Sequence, residues 1–282
     1  MAAQVDILMI TYNRPEYTRL ALPQLLRTAD ENTRIWLWHN GTHEETLAVV
    51  KEHASHPRVA KFHHSPENAM LRTPTNWFWN ESKGEYLGKV DDDCLMPEGW
   101  VQTLVRAHEA APKLGVVGCW PFLEEDFRPK LAERKIREVA PGVRVLTNCW
   151  IGGSGYLFKR SQQQRFGVLG DKEAFTGYCL RMARTGIVNG WLMPFLYMDH
   201  MDDPRSPHTM MVSEEAFAKN PSLSSRRFGT PSLEALKQRA VQAAIEVQSA
   251  SSNPSDYIGL RASIRRAVRR LMGKGRIAKL NP

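Results

Sequence analysis

Residues 5–26 read VDILMITYNRPEYTRLALPQLL, and this stretch decides the fold. Residues 5–10 form a short apolar run rich in strand-forming side chains, and Arg14-Pro15 follows as a turn and helix start. Leucines then recur at helical spacing over residues 16–28. The pattern predicts a strand, a short turn and an amphipathic helix in immediate succession.

The same alternation of strand and helix continues along the chain. Further strands are predicted over residues 35–38, 59–63, 85–90, 115–120, 143–147, 155–159 and 191–198, and helices over residues 44–53, 76–82, 97–111 and 175–185. Such alternation is typical of a doubly wound α/β sheet with right-handed crossovers. Because ligands bind such sheets at the carboxyl ends of the strands, residues 11–13, 39–42 and 91–93 are expected at one edge.

The net charge of +8 is concentrated near the C-terminus. Residues 1–225 contain 26 Lys and Arg against 27 Asp and Glu, whereas residues 226–282 contain 12 against 3. A nearly neutral body lacks the basic face that nucleic-acid binding requires, so we expect no nucleic-acid partner. No apolar run of eighteen residues occurs and the N-terminus has no basic flank, so we expect neither a membrane span nor a signal peptide, and a cytoplasmic protein.

The four cysteines are widely spaced and form no Cys-x-x-Cys motif. Each stands among apolar or aromatic residues. This pattern is typical of buried free thiols in a reducing compartment, and it disfavours a disulfide framework or a zinc site.

Three consecutive aspartates, Asp91, Asp92 and Asp93, follow the strand predicted over residues 85–90. Adjacent carboxylates repel one another unless a cation or hydrogen-bond donors compensate. Oxygen ligands on a short turn suit Mn²⁺ or Mg²⁺, which bind one or two carboxylates together with phosphate oxygens of a substrate. The motif predicts a cation site beside a diphosphate-bearing donor. The alternative is a solvated acidic turn before a helix that starts at Pro97.

Five segments together resemble the glycosyltransferases of family 2. They are residues 5–26, HNGT at 39–42, GEYLGKVDDDCLMPEGW at 84–100, IGGSGYLFKR at 151–160 and GYCLRMARTG at 177–186. The resemblance spans residues 5–203. It implies the GT-A fold, a Rossmann-like doubly wound α/β fold with a mixed sheet. It also implies inverting transfer of a sugar from a nucleotide-diphosphate sugar, with a UDP-sugar expected, to a glycan or lipid-linked acceptor.

The resemblance also implies a donor site. In the family, the aspartate motif holds a divalent ion against the pyrophosphate; Asp91 and Asp93 match it here, and Asp92 is an alternative ligand. His200, just after the last predicted strand, is expected as a third ligand of Mn²⁺ or Mg²⁺. Asn40 stands where the family often has a carboxylate that reads uracil. The expected donor contacts are Thr11, Tyr12, Asn13, Arg14, Asn40, Arg72, Asn76, Asp91 and Asp92.

Inverting transfer also needs a carboxylate that removes the proton of the acceptor hydroxyl. The family carries an acidic pair shortly before a helix with a Cys-Leu-Arg pattern, but here Ala174, Phe175 and Thr176 stand nearest to that position. Asp171 is therefore the candidate base and Glu173 the alternative. Both acids could instead cap the following helix.

The C-terminal part of the chain is expected to be an appendage. We predict a catalytic domain over residues 1–203, a lid or loop over 204–231, and a basic helical extension over 232–282. Within the extension, residues 257–272 combine an apolar stripe with five arginines. A basic amphipathic helix of this kind predicts peripheral binding to an anionic membrane on its inner face; the alternative packs the stripe on the catalytic domain.

Two other classes of protein compete with this interpretation. A nucleotidyltransferase would also combine an α/β nucleotide site with a carboxylate-bound metal, but no glycine-rich activation loop follows the first strand. A nucleic-acid-binding protein could use the basic tail, but it would need further basic surface on its nearly neutral body.

Overall fold

The computed structural model describes residues 3–258, apart from the side chains of residues 223, 224 and 227. The strands in this range are β1 (Val5–Thr11), β2 (Thr33–Asn40), β3 (Val59–Ser65), β4 (Tyr86–Asp91), β5 (Cys94–Leu95), β6 (Leu114–Gly118), β7 (Ile136–Ala140), β8 (Val143–Asn148), β9 (Tyr156–Lys159), β10 (Val188–Met193) and β11 (Asp199–His200). The α-helices are α1 (Pro15–Thr28), α2 (Glu44–His53), α3 (Arg72–Glu81), α4 (Trp100–Ala110), α5 (Pro129–Ala132), α6 (Arg160–Phe166), α7 (Phe175–Ala183), α8 (Glu214–Lys219), α9 (Leu223–Phe228) and α10 (Leu233–Ser249). Short 3₁₀ helices cover Glu124–Asp126, Glu133–Lys135 and Pro254–Asp256.

The main sheet has nine strands in the order β3-β2-β1-β4-β9-β6-β10-β8-β7. Strands β1 to β4 run parallel to one another, and β10 is parallel to β6, whereas β9, β8 and β7 pair antiparallel with their neighbours. The predicted mixed sheet is therefore confirmed. Its register places Thr11 beside His39, and Ile10 beside Asp91, so the carboxyl ends of three strands meet at one edge.

Helices cover both faces of this sheet. Ile7 and Met9 of β1 face the cluster that contains Leu22 of α1, while Leu8 and Ile10 face the cluster that contains Phe78 of α3 and Tyr178 of α7. Because successive strand residues point to opposite faces, β1 has to be apolar throughout its middle. This two-sided burial explains the four consecutive apolar residues, 7–10, in the middle of β1.

Several predicted boundaries differ from the structure. The last strand of the main sheet ends at Met193 instead of Met198, because Pro194 cannot donate to the ladder. Residues 199–200 form a separate two-stranded ladder with β5. The segment expected to be a lid or loop over 204–231 contains α8 and α9. Serine side chains cap both helices: Ser213 accepts from Ala216 N and Ser222 accepts from Ser225 N.

Helix α10 lies within the segment predicted as a helical extension over 232–282, and both the helix and the chain after it dock on the body. Lys135 Nζ donates to Val247 O at 2.5 Å, Gln248 Nε2 donates to Asp126 O at 2.9 Å, and the Tyr257 ring meets Trp150 edge-on at 4.6 Å. The helix predicted over residues 257–272 lies outside the described residues from 259 onward. Within the described part of the chain, no helix is long and apolar enough to cross a membrane.

Candidate functional site

The candidate site lies at the carboxyl edge of β4. The chain leaves β4 at Asp91, turns through Asp92 and Asp93, and enters β5. In the small ladder that β5 forms with β11, His200 stands directly opposite Cys94. This pairing brings a histidine about 110 residues away in sequence to the aspartate turn.

The three aspartates have different surroundings. Asp92 turns back towards the first helix, where it accepts from Tyr12 N at 3.1 Å and from Thr18 Oγ1 at 3.4 Å. Burial and the charge of Asp93 raise the pKa of Asp92 above its usual value, and Arg14 only partly opposes the shift. Asp92 therefore links β4 to β1, and the carboxylates of Asp91 and Asp93 are the ones that remain at the edge.

Asp91 is held by groups from its own strand and from residues 151–155, a glycine-rich turn with the sequence IGGSG. Its backbone N–H donates to Ser154 Oγ at 2.8 Å, and its carboxylate accepts from Lys89 Nζ, which also donates to Gly153 O at 2.9 Å. The side chain is 31% exposed. Burial raises the pKa of Asp91, and Lys89 opposes that rise. The Lys89 ammonium thus fixes Asp91 while leaving part of its carboxylate open to solvent.

Asp93, Cys94 and His200 form a cluster of potential cation ligands. One ligand atom from each lies within 4.8 Å of the others, and His200 Nε2 stands 3.8 Å from Asp93 Oδ1. Burial alone would raise the pKa of Asp93, but His200 and Arg14 outweigh it and lower that pKa. The converse holds for His200: burial would lower its pKa, but the carboxylates of Asp93 and Asp202 raise it. The edge as a whole brings four aspartates together with one lysine and one arginine, so with His200 neutral it carries negative charge that a cation would balance.

Arg14 supplies a resident positive charge to this cluster. Its Nη1 donates to Asp93 Oδ2 at 2.9 Å, and the same guanidinium pairs with both carboxylate oxygens of Asp202. The guanidinium also lies 4.3 Å from the ring centroid of Tyr17. Burial would lower the pKa of Arg14, but Asp202 and Asp93 raise it. Arg14, predicted as a donor contact, is thus the internal counterion of two acids.

Three further predicted donor contacts, Thr11, Tyr12 and Asn13, lie at the end of β1 and in the turn that follows it. Thr11 Oγ1 and His39 Nδ1 are 2.8 Å apart, both side chains being buried. The Tyr12 ring packs over Gly41, whose φ is +82°. A Cβ atom added at Gly41 would stand only 3.3 Å from Tyr12 Cε2. Asn13 is exposed and has a positive φ of 52°. Glycine at 41 therefore lets the first two strand ends approach each other closely.

Two other predicted donor contacts, Asn40 and Asn76, are engaged inside the protein. Asn40 Oδ1 accepts from Trp38 Nε1 and from Ala69 N, and its Nδ2 donates to Met70 O. Asn76 exchanges two hydrogen bonds with the backbone of Leu169, at 2.9 and 3.0 Å. These amides position loops that border the sheet edge. Their roles as donor contacts stay predictions.

Arg72 and Asn76 both hold the loop that carries the two candidate bases. Arg72 Nε donates to Glu173 O at 3.2 Å. The Glu173 carboxylate pairs with Arg181 at 3.0 and 2.8 Å and also accepts from Gly170 N at 3.1 Å. Asp171 is exposed, and within the described residues its carboxylate has no hydrogen-bond or ion-pair partner. The two acids thus differ: Glu173 is paired with Arg181, whereas Asp171 is open to solvent.

Sequence reasoning missed four residues of this site. Lys89, Cys94, Ser154 and Asp202 contact the aspartate turn or its counterion, and two of them are close in sequence to the aspartates. Lys89 stands two residues before Asp91 in the same strand, so both side chains point to the same face, and Cys94 directly follows Asp93. Ser154 and Asp202 make their contacts from distant parts of the chain, and their types in the sequence gave no indication of it.

Both the sequence and the fold resemble those of known proteins. Residues 6–189 match the model of the family described as glycosyl transferase family 2, which favours that class over a nucleotidyltransferase or a nucleic-acid-binding protein. A search of curated protein sequences found no match.

Three solved structures share the fold. The mannosyltransferase PcManGT from Pyrobaculum calidifontis, in complex with GDP-Man and Mn²⁺, aligns with 98% of this chain and 82% of its own at 17% identity and a TM-score of 0.56. Residues 1–349 of S. aureus TarS align with 94% of this chain over 92% of their own length, at 10% identity and a TM-score of 0.52. GalNAc-T7 with UDP, GalNAc and Mn²⁺ aligns with 70% of this chain over 44% of its own length, at 12% identity and a TM-score of 0.54. The expected GT-A fold is confirmed.

Proposed function

Because this chain belongs to glycosyltransferase family 2, we propose that it transfers a sugar from a nucleotide-diphosphate sugar to a glycan or lipid-linked acceptor. A UDP-sugar is the proposed donor. The observation that carries the proposal is the meeting of Asp91, Asp93 and His200 at the carboxyl edge of β4, where ligands of doubly wound sheets bind.

The residues at this edge fit a divalent ion. Asp93 offers carboxylate oxygen and His200 offers imidazole nitrogen 3.8 Å away, and the excess of acids leaves negative charge to be balanced. Two of the aligned structures are complexes with Mn²⁺. We assign Asp93 and His200 as ligands of Mn²⁺ or Mg²⁺, with Asp91 beside them. When bound, the ion offsets the charge that develops on the departing diphosphate.

The chain's own residues have distinct tasks in this proposal. Lys89 keeps Asp91 oriented towards the edge, and Asp92 ties the aspartate turn to the backbone of Tyr12. The turn over residues 11–14 borders the same edge and supplies contacts to the nucleotide. Arg14 lies within reach of the acids that hold the cation, so its guanidinium is available to a phosphate oxygen once the ion replaces it at Asp93.

Asp171 is the proposed base for an inverting transfer. Its Oδ atom would take the proton of the acceptor hydroxyl as that oxygen attacks the anomeric carbon. Glu173 is less suited, because Arg181 engages both of its carboxylate oxygens and leaves neither free to approach an acceptor hydroxyl. The bonds from Asn76 to Leu169 and from Arg72 to Glu173 would hold the Asp171 loop in place.

The basic C-terminal segment is the proposed attachment to a membrane. Residues 259–282 contain eight Lys and Arg and no Asp or Glu, so they carry the whole net charge of +8. The described chain leads into this segment beside Trp150, next to the glycine-rich turn that contacts Asp91. Binding of this segment to an anionic inner membrane face would place the site near a lipid-linked acceptor.

The membrane proposal is tested by vesicle co-sedimentation. The change is R265Q/R266Q/R269Q/R270Q in the full chain, and the control is the substitution of Arg184, an exposed arginine of the described body, by Gln. Each basic residue contributes about 1 kcal/mol near an anionic surface, so the fourfold variant should lose at least about tenfold in partitioning to phosphatidylserine vesicles. Equal partitioning of the two variants would refute the proposal.

The transferase proposal is tested with a panel of nucleotide sugars and Mn²⁺. We expect a UDP-sugar to raise Tm and to be hydrolysed slowly to UDP without an acceptor, and we expect neither effect with EDTA. Stabilisation by a GDP-sugar alone would show that the donor is a GDP-sugar and not a UDP-sugar. The absence of stabilisation and hydrolysis with every nucleotide sugar would contradict the proposed function.

A further inference from the structure

The thiol of Cys94 lies in the cation cluster itself. Cys94 is fully buried, its Sγ is 3.3 Å from Asp93 Oδ1, and Ser154 Oγ donates to it at 3.3 Å. Cys94 stands directly opposite His200 in the ladder of β5 and β11, so the two side chains share one face of that ladder. The thiol is thus placed by backbone pairing as well as by side-chain contacts.

This position distinguishes Cys94 from the other cysteines. Cys119, Cys149 and Cys179 are also buried and free. Among residues 3–258, only Cys94 belongs to a group of three or more acidic, histidine or cysteine ligand atoms close enough to hold one ion. The expectation of buried free thiols holds at all four positions, and within the described residues Cys94 alone lies beside potential cation ligands.

We propose that Cys94 is a third protein ligand of the cation site and that the site therefore also takes Zn²⁺, Co²⁺ or Cd²⁺. This proposal rests on the assignment of Asp93 and His200 as ligands under the proposed function. Carboxylate and water suit Mg²⁺ and Mn²⁺, whereas a set with imidazole and thiolate favours zinc and softer ions. One site then binds two classes of ion, with Cys94 deciding between them.

The distances are compatible with such a set. Tetrahedral zinc keeps a nitrogen and an oxygen ligand roughly 3.4 Å apart, and a sulfur and a nitrogen ligand roughly 3.6 Å apart. His200 Nε2 and Asp93 Oδ1 are already 3.8 Å apart, and all three ligand atoms lie within 4.8 Å. Binding requires movements of about 1 Å. The Cys94 thiol gives its proton to the buffer, a sulfur–metal bond forms, and no oxidation state changes.

Cobalt absorption tests the proposal without any measurement of transfer. Co²⁺ added to the full-length protein should produce a near-ultraviolet band of thiolate-to-cobalt charge transfer. Cys94→Ser should abolish this band and weaken Cd²⁺ binding at least about tenfold, since even outer-shell changes cost that much. The matched control is Cys179→Ala, which removes a buried thiol from helix α7 and should leave the band intact.

The outcomes separate this proposal from the proposed function. Co²⁺ binding without a thiolate band, or equal Cd²⁺ affinity in wild type and Cys94→Ser, would overturn the role of Cys94 and leave Asp93 and His200 as ligands. No Co²⁺ binding at all would overturn both assignments. Because the band is first measured in the wild-type protein, the test does not depend on whether Cys94→Ser folds.

Discussion

Substitution of Arg14 by Met removes the resident cation from the acidic edge and keeps the apolar stem. Arg14 is 20% exposed, and its partners Asp93 and Asp202 are 13% and 10% exposed. Removing one partner of a buried ion pair typically destabilises a protein by 3–5 kcal/mol. Because these groups keep some contact with water, we expect about 3 kcal/mol in metal-free protein, or a Tm lower by about 6–12 °C.

Added Mn²⁺ should reverse most of this loss. The ion occupies the place of the guanidinium beside Asp93, and in the variant it no longer competes with a nearby positive charge. At an effective dielectric constant of 20, two unit charges 4 Å apart interact by about 4 kcal/mol, so a Kd for Mn²⁺ at least about tenfold lower is expected. Thermal unfolding with EDTA and with increasing Mn²⁺ measures both effects.

The control is Arg19→Met, one turn further along the same helix. Arg19 pairs with Glu45, and the two side chains are 49% and 56% exposed, so this substitution should change stability by only about 0–1 kcal/mol and leave Mn²⁺ binding unchanged. If Arg14→Met and wild type gain equal Tm from Mn²⁺, Arg14 and the ion do not share Asp93, and the reasoning fails.

Three further predictions concern the same edge. Asp171→Asn should lower kcat at least about a hundredfold while Kd for the nucleotide stays constant; a comparable loss in Glu173→Gln alone would move the base there. Mn²⁺ affinity should rise with pH through the raised pKa of His200, because the protonated imidazole repels the ion and cannot bind it, and it should fall as pH drops below that pKa; affinity in His200→Gln that shows the same pH dependence would contradict this. Asn40→Ala should destabilise the protein by about 1–3 kcal/mol, because it leaves Trp38 Nε1 and Ala69 N without their acceptor; an altered preference between UDP and GDP at unchanged stability would instead make Asn40 the residue that reads the base.

Features that depend on local patterns could be predicted from the sequence. The first strand and helix follow from apolar spacing over residues 5–28, and the aspartate turn follows from three carboxylates after a buried strand. The edge shared by Thr11, His39 and Asp91 also follows, because parallel strands place their carboxyl ends together. These parts of the site need no knowledge of a partner distant in sequence.

Other features depend on tertiary contacts that no local pattern carries. Asn40 and Asn76 have the right type for contacts to a nucleotide, yet their amides are engaged by Met70 and Leu169. An amide's partner is decided by packing, and the residue type alone does not disclose it. Asp202 is a similar case: its pairing with Arg14 joins residues 188 positions apart.

Asp93 and His200 are proposed to hold a divalent ion that receives a nucleoside diphosphate. Isothermal titration of UDP into wild-type protein and into Asp93→Ala, each with Mn²⁺ and with EDTA, tests this directly. We predict binding only in the wild type with Mn²⁺, at unchanged folding of the variant by circular dichroism. UDP binding of equal affinity in EDTA, or in Asp93→Ala, would contradict it.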